Sequence, residues 1–339
     1  MKLTQITDHV YIADGATITT VYRMGDDCIL IDTGHPNDGD DLIRVLDENH
    51  LKVRGILSTH YHADHFGNCR RIAKLYDLPV ILPLGEAGFC RSLEALGESF
   101  GFHGTQYIKN DQITTILGPV DETIGFDQRD ITVAGVKFDV FHTPGHTGDN
   151  VSFRTPDGVL VVGDVLITPE KLAPLRAPFT TNIAQDLLSK KQVAETPCRY
   201  CVMAHCGYVP ASSLPGVLKV NIDAFAQVIN VVRGIITRPM TMDEIVPRFC
   251  QIRGINGNTL TRGVQMRHIV GAIVGYLIDG GELATETALG LTYYIPVNRR
   301  GSLQATADRS STAADSADAG RSSTGGLAYG RGKGSGSVL

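Results

Sequence analysis

The sequence predicts a layered α/β domain, then a smaller helical domain that closes with a hairpin, then a disordered tail. Three observations lead there. Short β-branched runs alternate with amphipathic stretches through the first two hundred residues. The pattern turns helical after a turn-rich joint at 212–216, and beyond residue 300 large apolar residues become sparse. With 339 residues, 42% of them hydrophobic and 20% charged, the chain has ample material for buried cores.

Residues 10–12, 18–23 and 28–32 read as strands from their β-branched, alternating character, and 40–50 has helical spacing. The run 53–58 is a short, β-branched strand that stops at a histidine cluster. A helix over 66–75 follows, then strands at 80–82, 131–133, 137–141, 151–154 and 159–162, a helix over 183–196 and a strand at 200–204. The stretch 84–128 carries weaker signals and is expected to be a mostly helical or irregular insertion near the site. Past the joint, helices are expected over 217–236, over 242–251 with Thr241 as N-cap, and over 261–277. Asp279-Gly280-Gly281 is a tight turn, and 283–285 with 291–295 form a hairpin, the order of a winged helix-turn-helix. The predicted division is a domain over 1–211, a winged-helix-like domain over 217–298, and a tail over 300–339 too poor in apolar residues to offset its ordering entropy.

The longest apolar run, 269–278, falls well short of the roughly 20 residues that span a bilayer, and the first residues lack an apolar secretion segment. Seven cysteines, an odd number, fit free thiols in a reducing compartment, so a cytoplasmic protein without membrane association is expected. Charge is uneven. Residues 1–216 hold 18 basic and 27 acidic side chains, and 217–300 hold 9 and 6. The acidic first part does not suit a phosphate-tracking surface, and Arg262 and Arg267 alone are few for reading a DNA groove from 261–277. A small molecule, not nucleic acid, is the expected partner, with a homodimer through the apolar later helices as a further expectation.

The densest chemical signal is Ser58-Thr59-His60-Tyr61-His62-Ala63-Asp64-His65, where a strand ends and a helix begins. Imidazole nitrogens and carboxylate oxygens are zinc donors, and a strand-end loop can turn several toward one point. Packing alone gives no reason for four ionisable side chains at the end of a buried strand. Further candidates sit at later strand ends: His146 in Thr143-Pro144-Gly145-His146-Thr147, Asp164 after Val161-Val162-Gly163, and His205 after 200–204. Seven donors from four strand ends amount to two metal sites. A lone histidine, by contrast, is more often a hydrogen-bonded surface or core residue, the reading for His9, His35, His50, His142 and His268. His103 is expected on a surface loop. Cys198-x-x-Cys201 lacks a second pair to complete four ligands and reads as buried thiols, while Cys206, beside His205, is the thiol open to an oxidant or a soft metal. Asn68 and Tyr208 are expected to be structural.

The His60-x-His62-x-Asp64-His65 motif with downstream His146, Asp164 and His205 resembles the metallo-β-lactamase superfamily, in its glyoxalase II-like form, over roughly residues 1–210. The resemblance implies a four-layer αβ/βα sandwich with a dinuclear metal centre in its cleft. It puts one metal on His60, His62 and His146 and the other on Asp64, His65 and His205, with Asp164 bridging and Asp32 supporting the ligands. Two zinc ions are the implied cofactor, with iron or manganese as alternatives. Two metals sharing a water ionise it near neutral pH, so the implied activity is hydrolysis of a small ester, thioester, lactone or amide, with Asp64 as catalytic acid at the leaving atom. The same ligands also serve an endoribonuclease or phosphodiesterase, or a mononuclear iron persulfide-type dioxygenase. A reading from another class is a DNA-binding regulator whose first domain senses a metabolite. Flavin-linked di-iron relatives carry Glu where His62 stands, so His62 favours hydrolysis over oxygen reduction. A metallo-β-lactamase domain followed by a winged-helix-like piece resembles hydrolases whose added domain packs near the active site or dimerises. Substrate choice is expected to lie in the 84–128 insertion and in further loops around the cleft.

Overall fold

The computed structural model describes residues 1–99, 101 and 114–297; His103 and the tail from residue 300 lie outside the described residues. Side-chain alternation sets the layering. The first strands are β1 (Leu3–Gln5), β2 (Val10–Asp14), β3 (Ile18–Met24) and β4 (Asp27–Ile31). Ile29 and Ile31 of β4 face one side, Cys28 and Leu30 the other, and all four are buried, so the sheet must be covered on both faces. Helix α1 (Gly39–Glu48) covers the outer face with Leu42, Val45 and Leu46 and returns the chain to β5 (Lys52–Leu57), parallel to β4. The order is β1-β2-β3-β4-β5.

The chain continues through α2 (Ala63–Phe66), α3 (Cys69–Tyr76), β6 (Ile81–Pro83), α4 (Leu84–Ala87), α5 (Leu93–Ser99) and β7 (Glu122–Ile124). One expectation is corrected here. The helix over 66–75 is two helices, broken at Gly67 and Asn68, where the Asn68 amide donates to the carbonyls of Thr33 and His35 instead of extending a helical pattern. The described part of the 84–128 stretch is mostly helical or irregular, as expected, with one short strand, β7, that pairs in parallel with β6.

A second sheet is built from β8 (Asp130–Val133), β9 (Val136–His142), β10 (Val151–Arg154) and β11 (Val159–Val161), then, after α6 (Pro169–Leu172) and α7 (Ile183–Glu195), β12 (Tyr200–Met203) and β13 (Gly207–Pro210). Its order is β13-β12-β11-β10-β9-β8, with β11 and β12 parallel across the α7 crossover. The sheets face each other through Ile29, Ile31 and Leu57 on one side and Phe138, Phe153 and Val202 on the other. Gly55 of β5 leaves room for that approach, since a Cβ there would stand 2.1 Å from Val133 Cγ1. On the far side, Val193 of α7 and Leu214 and Val217 of α8 (Leu214–Ile235) cover Leu160, Cys201 and Met203. The four layers are therefore helices, sheet, sheet, helices.

Helix α8 starts at Leu214, not at 217: Pro215 is accommodated in a first turn, whose N–H groups have no helical acceptor, so the second half of the turn-rich joint is part of the helix and Ser212 and Ser213 belong to a 3-10 turn before it. It is followed by α9 (Met242–Arg253), α10 (Leu260–Asp279) and the hairpin β14 (Leu283–Ala288) and β15 (Leu291–Pro296). Thr241 and Glu244 form a capping box at α9, and Met240 bridges to Tyr294 beside the hairpin. Phe225, Val232, Ile245, Phe249, Ile269 and Ile273 build a core here that also takes in Ala177 and Ile183. Residues 1–297 form one compact unit. Among the described residues no helix is long and apolar enough to cross a membrane.

Candidate metal centre

The second half of β5, Gly55 to Leu57, is buried between a helical layer and the second sheet, and its end delivers a polar loop to the cleft. His60 and His62 precede α2, and the turn of α2 carries Asp64 and His65 into the same space. His146 comes from the loop between β9 and β10, Asp164 follows β11 and His205 follows β12. Three donor sets converge among the described residues, each with its ligand atoms within 4.8 Å of one another: His60, His62 and His146; His60, His65 and Asp164; Asp64, His65 and His205. Donors held tetrahedrally at about 2.0–2.1 Å from an ion stand roughly 3.3 Å apart. The spacings are close to that: 3.1 Å from His146 Nε2 to His62 Nδ1, and 3.4 Å from His205 Nε2 to Asp64 Oδ2. Asp164 turns Oδ1 toward His65 and His205, 3.2 Å from each, and Oδ2 toward His146 at 3.4 Å, so one carboxyl faces both outer sets.

His60 Nε2, His65 Nε2 and Asp164 Oδ1 are buried without a properly aligned hydrogen-bond partner. Polar atoms left that way cost about 1–3 kcal/mol each, which cations among them would offset. Burial holds His60, His62 and His146 below the ordinary histidine value, His62 down to about 3, and neighbouring imidazoles add to the effect for His60 and His62. They are thus neutral, as donors must be. Burial opposes a charge on His65 and His205 as well, but the Asp164 and Asp64 carboxylates and the hydrogen bonds to Asp164, and to Asp32 for His65, together outweigh it and raise both. Burial raises Asp164 in turn, and His65, His205 and His146 outweigh that and hold it well below the carboxylate range. The donor set fits divalent cations bound by nitrogen and oxygen.

Asp32 follows β4 with φ of 58°, a left-handed conformation that Asp tolerates better than most residues. Its Oδ2 accepts from His65 Nδ1 at 3.0 Å and its Oδ1 from the Thr59 N–H at 2.8 Å, which leaves His65 Nε2 directed at the cluster. Gly145 sets His146: at φ of 132° its carbonyl accepts from the Thr180 and Thr181 hydroxyls, and a Cβ would fall 2.3 Å from the Asp186 backbone.

Sequence reasoning missed Glu86. It is fully buried on α4, with Oε1 accepting from the Asp149 N–H at 2.9 Å and Oε2 from the Tyr61 N–H at 3.3 Å. Tyr61 lies between His60 and His62, and Asp149 lies three residues past His146, so one carboxyl ties two candidate ligand loops together. Burial pushes its pKa up to about 7, against the lowering effect of the Thr147 hydroxyl and the two N–H groups. The available signal was a lone carboxylate just after the apolar run Val80 to Leu84.

Two adjoining lobes of a cleft open over the cluster and share Asp64, His146, Asp164, Phe179 and Gln265. One, of about 320 Å³, is also lined by Thr261, Val264 and His268 of α10; the other, of about 510 Å³, reaches His205, Lys171 and Arg262. His268 thus lines the cleft, and among the described residues no side chain of the 84–128 stretch lines either lobe. The reason is long-range: α10 packs over the site, and no local pattern records that. Phe179, equally unmarked, stands edge-on to His62 and His146, with centroids 5.5 and 5.4 Å away, and stacks on His268 at 5.3 Å.

The remaining candidates are structural in their contacts. Tyr208 packs on Tyr200 across β12 and β13. His142 bonds the Gln128 carbonyl at 3.1 Å. Cys201 is buried in β12 and Cys198 half-buried before it, both with thiols raised by burial, and Cys206 Sγ accepts from the Thr168 N–H.

The profile of the metallo-β-lactamase superfamily matches residues 14–205. The hydroxyacylglutathione hydrolase of Chromohalobacter salexigens is 29% identical over 145 residues, which are 42% of this chain and 44% of that protein. The probable metallo-hydrolase YybB of Bacillus subtilis is 26% identical over 200 residues, 55% and 83% of the two chains. The chain spans less than half the length of the hydroxyacylglutathione hydrolases it matches. Among solved structures, a metallo-β-lactamase family protein from Thermus thermophilus has a TM-score of 0.60 at 20% identity, covering 82% of this chain and 93% of its own. A β-lactamase domain protein from Burkholderia ambifaria has a TM-score of 0.62 at 16% identity, covering 87% and 93%. These two share the fold. With the profile match running from β2 to His205 and the layers and strand-end histidines just described, the chain belongs to the metallo-β-lactamase superfamily.

Proposed function

We propose that the protein is a hydrolase that holds two zinc ions on His60, His62 and His146 and on Asp64, His65 and His205, with Asp164 between them, and that it cleaves a small ester or thioester. The observation that carries the reading is the Asp164 carboxyl, with one oxygen toward each set of histidines and one of them buried without a hydrogen-bond partner. Bound zinc ions would supply Lewis acidity and lower the pKa of a water toward roughly 7. The chain's own groups do the rest. Asp32 and Glu86 hold the ligand loops still, and Phe179 excludes water from the His62 and His146 side. Asp64, with 36% of its side chain exposed against 11% for Asp164, lines both lobes and is the carboxylate suited to pass a proton to the leaving atom.

A cleft of a few hundred cubic ångströms beneath α10 suits a small substrate better than a polynucleotide. The hydroxyacylglutathione hydrolases among the relatives support acyl transfer to water. The test is metal analysis of the purified protein with an ester and thioester panel before and after chelation. Two zinc equivalents and chelator-sensitive hydrolysis are expected. A single iron with persulfide-dependent oxygen uptake, or cleavage of RNA without ester hydrolysis, would overturn the reading.

A further inference from the structure

Thr261, Val264, Gln265 and His268 stand at i, i+3, i+4 and i+7 along α10, so they form one helix face, and that face lines the smaller lobe of the cleft. The wall is uncharged. Gln265 Oε1 accepts from the Arg262 guanidinium, whose side chain lines the larger lobe. His268 has no hydrogen bond or ion pair among the described residues; its ring is held by the stack on Phe179. Burial keeps the imidazole below its ordinary value, with no charged group acting on it. A half-buried imidazole with both nitrogens idle, facing the same cavity as Asp64 and Asp164, is an unused hydrogen-bonding group set in apolar surroundings.

We propose that His268 is a specificity-determining residue, making one hydrogen bond to an uncharged oxygen on a compact, otherwise apolar acyl group that sits between Phe179 and Val264. The inference rests on the hydrolase reading above. The acyl side is assigned to this lobe because it lacks the cations of the other, Lys171 and Arg262.

Zinc-loaded full-length protein, His268→Ala and His268→Asn are compared on the 4-nitrophenyl esters of methoxyacetate and butanoate, acyl groups of equal length that differ by one ether oxygen. Any difference in intrinsic reactivity cancels when the preference is compared between variants. The kcat/KM preference for methoxyacetyl should fall about 3- to 10-fold in His268→Ala, the worth of one hydrogen bond, and recover in His268→Asn, with zinc content and far-UV circular dichroism unchanged. Independently of turnover, 2-methoxyacetamide should shift the His268 imidazole resonance and butanamide should not. An unchanged preference in His268→Ala with zinc content and turnover intact overturns this inference and leaves the hydrolase reading standing. Failure of the wild-type protein to hydrolyse these esters and every ester and thioester of the panel with zinc bound overturns the hydrolase reading instead, and the amide titration then decides the role of His268: no selective shift ends it.

Discussion

Glu86 accepts two backbone N–H groups from different ligand loops, and an amide in its place could accept only one of them well. Glu86→Gln should therefore cost about 1–3 kcal/mol in urea denaturation. Its pH dependence has a definite sign. The folded protein holds the Glu86 proton up to about pH 7 against 4.5 for the ordinary carboxyl, so the stability it contributes is full below 4.5 and is lost as the pH rises through about 7. The stability of wild type relative to Glu86→Gln should fall across that window and be level above it; a flat difference would refute the assignment. Asp32→Ala removes the partner of His65 Nδ1 and should weaken zinc affinity about 10- to 100-fold in a competition titration. Asp32 was legible because its motif resembled a known one. Glu86, Phe179 and His268 were not, because each owes its place to contacts made across more than twenty residues of chain.

At the scale of elements, the loop from β9 to β10 depends on Gly145. Gly145→Ala drives a methyl group into the Asp186 backbone and keeps a conformation unfavourable to L-residues, so a loss of about 2 kcal/mol or more and reduced zinc content are expected, read by denaturation and metal analysis. At α9, Thr241→Ala removes half of a capping box and should cost about 1 kcal/mol while leaving metal content alone. Long elements were legible: β3, β4, α1, α7 and α10 announce themselves by period. β1, β7 and β13 were not: Leu3-Thr4-Gln5, Glu122-Thr123-Ile124 and Gly207-Tyr208-Val209-Pro210 lack the buried apolar run that marks the equally short β10, β11 and β12, and take their identity from the neighbour that pairs with them. The break between α2 and α3 was hidden for the same reason, as the Asn68 amide is drawn to carbonyls some thirty residues away.

At the scale of the molecule, the two sheets and the helices outside them converge on a cluster whose donors come from four strand ends. Loss of a donor should be felt there as a unit: Asp164→Ala or His62→Ala should abolish hydrolysis and lower zinc content with the far-UV circular dichroism retained. Dialysis against a chelator should lower the thermal midpoint, and zinc should restore it. The chain by itself determined the candidate donors and their order, because ligand chemistry restricts the residue types and a buried strand end followed at once by ionisable side chains has no packing rationale. It also determined the α/β layering, since period-two burial on both faces demands cover on both sides. Tertiary structure alone decided which helix roofs the cleft, which carboxyl clamps the loops and which histidine faces the cavity. Those outcomes depend on how distant elements pack, and residues such as His268 and Glu86 look the same in sequence whether they point into a cleft or into water.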